Sequence, residues 1–244
     1  MANSETGHAK NVANFQTLIS NCTSFGVIYN PSNRILTIEN LKLFHIEAKG
    51  NLNKVSRTKS EHDDIEGKRQ TLFGSYRTIS TKIMGALLSS GAPQTVINDA
   101  RTISRKMQGR RAPGTKIELN EDGTKKSRNS ISQQSFDMRI EHLDKMIELL
   151  SFERKYDPNE PHLTIEGLRA YHDELDTINE QVKDAYGPYS NAMNARNRKL
   201  YAPEIGLVAI ANSVKNYAKS IYKTNTPEYK SISKLPFKTL VDIE

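Results

Sequence analysis

Chemistry in a chain of this kind would start from its histidines. His45 and His172 stand at matching positions of an internal repeat, and each has a carboxylate two residues on, Glu47 and Glu174. Side chains two apart on a helix point to different faces, so neither pair can grip one metal ion from a single helix. His172 and Asp176 have the four-residue spacing that would serve, but the equivalent pair is His45 and Lys49, which would not. A histidine bonded between helices therefore explains the repeat better than a ligand or a general base. Cys22 is the only cysteine, which excludes an intrachain disulfide and a cysteine-rich metal site. Its counterpart in the second half is Leu149, as befits a small buried hydrophobe rather than a reactive thiol. There is no phosphate-cradling glycine loop, no His-Glu-x-x-His and no Gly-x-Ser-x-Gly elbow. Neither a metal nor another cofactor is expected.

Positive charge offers a second chemistry. Lys215, Lys219, Tyr222 and Lys223 fall on one helical face, and Arg101, Arg105, Lys106, Arg110 and Arg111 cluster ahead of the chain centre. Cations beside aromatic rings suit phosphate neutralisation and base stacking. Yet the net charge of +7 is uneven: residues 137–180 carry twelve acids against five bases, and residues 196–238 nine bases against two acids. Both blocks belong to helices expected to share one bundle, where they would largely compensate each other. No established nucleic-acid-binding signature accompanies the cations.

The elements that must position these residues come from a duplication. Tyr29-Asn-Pro-Ser-Asn-Arg-Ile-Leu-Thr-Ile-Glu-Asn-Leu41 matches Tyr156-Asp-Pro-Asn-Glu-Pro-His-Leu-Thr-Ile-Glu-Gly-Leu168 at a constant offset of 127. Tyr29, Pro31, Thr37 and Glu39 thus correspond to Tyr156, Pro158, Thr164 and Glu166. A proline turn leads to a threonine placed as a helix N-cap, and an acid follows in the first turn, where the helix dipole favours it. Turns and caps use just these residue types, so this reading is preferred to a ligand loop around the tyrosines.

Ile140, Leu143, Ile147 and Leu150 recur at helical spacing before the second motif, and Val12, Phe15, Ile19 and Cys22 before the first. A long helical pattern follows each motif, and Gly187-Pro188 is expected to end or kink the second. Further helices are expected over 72–88 and 205–221, with a short one after Thr226-Pro227-Glu228. The expected fold is all-α: two homologous antiparallel bundles, each with about three long helices and a short one. The halves span 8–108 and 133–238, joined by a polar basic linker over 109–132 that holds a short extended piece at Ile117 and Leu119.

The doubled Tyr-x-Pro turn, with the closing Thr226-Pro-Glu-Tyr-Lys230 and Leu235-Pro-Phe237, resembles uncharacterised tandem-repeat helical proteins of Bacteroidetes bacteria over most of the chain. The resemblance implies no activity and assigns no functional residue.

Hydrophobic residues at 36% and charged residues at 26% describe a chain that folds. No run approaches the roughly 18 apolar residues of a membrane span, and the first residues lack the pattern of a signal peptide, so a cytoplasmic location is expected. What the halves share is turns, caps and apolar positions. The functional expectation is therefore a non-catalytic interaction or scaffold protein that binds another protein or itself. The alternative is sequence-tolerant nucleic-acid binding through the basic, tyrosine-rich surface, and an enzyme ranks third.

Overall fold

The computed structural model describes residues 2–110 and 134–241, with side chains from residue 7 onward. Most of the expected linker, including Arg111, Ile117 and Leu119, lies outside the described residues. The elements are α1 (Ala2–Ser24), α2 (Ile38–Gly74), α3 (Tyr76–Ser89), α4 (Gln94–Met107), α5 (Phe136–Ser151), α6 (Ile165–Tyr201), α7 (Leu207–Ile221) and α8 (Pro227–Ser233). Short 3-10 turns at Gly26–Ile28 and Arg34–Leu36 separate α1 from α2. There is no strand among the described residues.

Local chemistry explains several boundaries. The Ser135 hydroxyl accepts the Met138 N–H at 3.2 Å and opens α5. Thr226 does the same for α8 through Tyr229 N–H at 3.4 Å, with Pro227 in the first turn. Gly91 takes a φ of 74° between α3 and α4, a conformation that side chains disfavour. Leu72 and Phe73 end α2 rather than starting α3. The fourth helix of the first half, α4, has 14 residues, whereas α8 has 7.

α2 and α6 each run unbroken for 37 residues. Of the end or kink expected at Gly187-Pro188, the end does not occur, since α6 carries Pro188 in its interior. The proline forfeits one N–H bond and crowds one carbonyl, a local cost. Buried Val182 before it and Ala192 and Leu200 after it anchor the helix on both sides.

The chain divides into two compact units that do not follow the sequence halves. The first is residues 1–62 with 185–244, and the second is residues 63–184. Each unit therefore takes the beginning of one sequence half and the end of the other. A 37-residue helix rises about 55 Å, well beyond the length of α1, so its two ends are covered by different neighbours. In the first unit, Phe15, Leu18 and Cys22 of α1 share a core with Leu41, Leu200, Leu207, Val214 and Ile232. In the second, Leu143, Met146 and Leu150 of α5 pack with Ile83, Leu87, Ala100, Met107 and Leu168.

Within each unit the segments of α2 and α6 run antiparallel. In the first, Lys199 bridges to Glu47, and His62 packs on Tyr186 and Tyr189, each 5.9 Å between centroids. In the second, Arg69 donates to Asn179 Oδ1 at 2.9 Å and the Tyr171 hydroxyl donates to Leu72 O at 3.2 Å.

This division corrects the expected charge compensation. The acidic block 137–180 lies in the second unit and the basic block 196–238 in the first, so they do not share one bundle. The first unit holds sixteen Lys/Arg against eight Asp/Glu, and the described part of the second holds fourteen against seventeen.

Candidate docking groove

In the second unit, the end of α2 and the beginning of α6 leave an open groove of about 940 Å³ between them. Gly67 and Thr71 on α2 and Ala170 and Thr177 on α6 recur at helical spacing and are small, so neither helix fills the space. Leu72 and Ile178, partly buried against the core, supply apolar surface. The charged lining is mostly acidic: Asp63, Asp64, Asp173 and Glu174 against Lys68. Lys68 is tied to Asp64 at 2.7 Å, and Asp173 approaches His172 Nδ1 at 3.1 Å. An apolar strip bordered by carboxylates can take an elongated apolar surface that carries cations. No group of three or more potential metal-ligating His, Cys, Asp or Glu side chains occurs among the described residues.

The repeated histidines therefore serve different surroundings. His45 is half-buried in the first unit, where burial and then Lys49 hold its imidazole below the ordinary value, while Glu47 is engaged by Lys199. His172 meets Asp173 and borders the groove through it, and Glu174 is part of the groove lining.

Tyr29 and Tyr156 are both buried, and their hydroxyls donate to Leu36 O and Leu163 O at 2.8 and 2.9 Å. Each tyrosine thus closes its own turn from inside. Burial, followed by Glu160, pushes the Tyr156 phenol up to about 12, and burial also raises Tyr29. Pro31 is buried and Pro158 half-buried in these turns, and Glu39 and Glu166 lie exposed in the first turns of α2 and α6. Thr37 and Thr164 stand immediately before these helices and donate to Arg34 O and Pro161 O at 2.9 and 3.0 Å. Thr164 also accepts the Gly167 N–H at 3.1 Å, an N-cap bond. Cys22 sits in the first core, where burial pushes its thiol up to about 12.

The basic candidates fall into separate places. Lys215 donates to Leu235 O at 2.6 Å and lies 5.1 Å from the Phe237 ring centre, and burial lowers its ammonium. Tyr222 packs edge-on against Phe25 at 5.0 Å, and Tyr217 against Tyr29 at 5.3 Å. Lys219 and Lys223 are exposed. All of these belong to the first unit. In the second, Arg101, Arg105 and Arg110 line a smaller cleft of about 610 Å³ with Met84 and Leu88, while Lys106 is exposed on the same helix, α4.

No family model, curated protein or solved structure matches the chain.

The closing Leu235-Pro-Phe237 is structural: Leu235 and Phe237 pack against the first core. Asn14 and Asn21 of α1 donate to Pro236 O and Ser231 O at 2.7 and 3.1 Å. Asn11 both donates to Lys238 O at 2.9 Å and accepts its N–H at 3.0 Å. This ladder and the groove are absent from the sequence reading. Their signals were three asparagines spaced along one helix, and the small residues Gly67 and Ala170 amid charge.

Proposed function

We propose that the protein is a non-catalytic interaction module that binds another polypeptide in the acid-bordered groove of its second unit. The observation that carries this is the groove itself, an open apolar strip between two helices with four carboxylates in its lining. Exposed apolar surface rimmed by polar groups has the character of a protein-contact site. The matching histidines do not share one arrangement, since Glu47 beside His45 is held by Lys199 whereas His172 lies beside Asp173.

The test is capture of partners, from lysate with and without nuclease treatment, by the full chain and by Thr177→Arg, which fills and charges the groove. A protein retained by the first and lost with the second supports the reading. Retention of nucleic acid alone would overturn it in favour of the basic first unit.

A further inference from the structure

Along α2 of the first unit, Leu43 and Ile46 are 53% and 64% exposed. They share one helical face with Gly50: exposed Lys42 and Lys49 flank it on one side, exposed Lys54 continues it beyond Gly50, Glu47 on the other side is paired with Lys199, and Glu39 lies ahead of Leu43. The matching face of α6, 127 residues on, replaces Leu43 by Ala170, Ile46 by Asp173 and Gly50 by Thr177. One helix thus presents large apolar side chains beside lysines. The other offers small residues, space and carboxylates.

We infer that the groove's occupant is the α2 face of a second copy of this chain, a head-to-tail self-association resting on the docking reading above. Leu43 and Ile46 enter over Gly67, Thr177 and Ile178, and the flanking lysines meet Asp64, Asp173 and Glu174. The charge complementarity is carried by the chain itself: Lys42, Lys49 and Lys54 border or continue the face, Glu47 is offset by Lys199, and carboxylates line the groove. Burying two exposed aliphatic side chains supplies the apolar drive. The ionic contacts set the register and make association sensitive to salt.

Sedimentation of the full chain over a concentration series tests this. Reversible self-association that weakens as salt is raised is expected. Ile46→Asp, at an exposed position that leaves the helix intact by circular dichroism, should weaken it at least about tenfold, the loss of roughly 1.4 kcal/mol. Thr177→Arg should do the same from the other side. Mixing the two variants should restore a pair, because one retains its groove and the other its face. A monomer at every concentration, or association unchanged by either variant, would overturn the inference. If self-association is absent but Thr177→Arg still loses a captured partner, only the second-copy assignment falls. If the variant loses nothing in either experiment, the docking reading falls with it.

Discussion

At Gly167 a Cβ atom would stand 1.9 Å from the carbonyl oxygen of Pro161, so the second Tyr-x-Pro turn closes onto its helix with no room for a side chain. The equivalent residue of the first turn is Asn40, whose amide donates to Arg34 O. Gly167→Ala should therefore destabilise the protein by about 1–3 kcal/mol in urea unfolding. Gly85→Ala on α3, where a Cβ meets nothing within 4 Å, should instead stabilise by about 0.5–1 kcal/mol. Equal effects of the two would refute the steric argument. His142 carries a different residue-scale consequence. It is 2% exposed, and neither ring nitrogen has a hydrogen-bond partner among the described residues. Burial, then Lys106, lowers its folded pKa below 6.5. The unfolded chain then binds the proton more readily, so this contribution to stability is complete above pH 6.5. It is lost as the pH falls through that value toward the lowered folded one. Chemical denaturation on either side of pH 6.5 should show the decline, and His142→Leu should flatten it.

At the scale of elements, α6 continues past Pro188 because buried residues on both sides outweigh one missing hydrogen bond. If so, Pro188→Ala relieves a cost already borne, and thermal unfolding should show a gain of about 1–3 kcal/mol. No gain would mean that the helix has adapted around the ring. The starts of α6 and α8 were legible in the sequence because capping is local: Thr226-Pro-Glu lies within one turn of the backbone groups it serves. Thr164→Ala should cost about 1 kcal/mol for the same reason. Helices α3 and α7, with no side-chain cap bond, begin at Tyr76 and Leu207 rather than at 72 and 205. The unbroken passage of α6 was not legible, since the anchoring contacts of Val182 and Leu200 come from other parts of the chain.

For the whole molecule, the division into units makes a prediction about fragments. Residues 63–184 contain one complete core and should melt cooperatively when expressed alone. Residues 8–108, a half as read from the repeat, leave α1 without α7 and α8 and should not. The reverse outcome would return the bundles to the sequence halves. What the sequence by itself determined was helical content, the turns, the caps and the apolar stripes, because each depends on residues within a few positions of one another. Only the tertiary structure decided which stripes pair. Apolar faces such as those of α3 and α7 are chemically alike, so pattern alone does not choose between them as cover for α1. The groove follows from that choice, since Gly67 and Ala170 become neighbours only once α2 and α6 lie side by side.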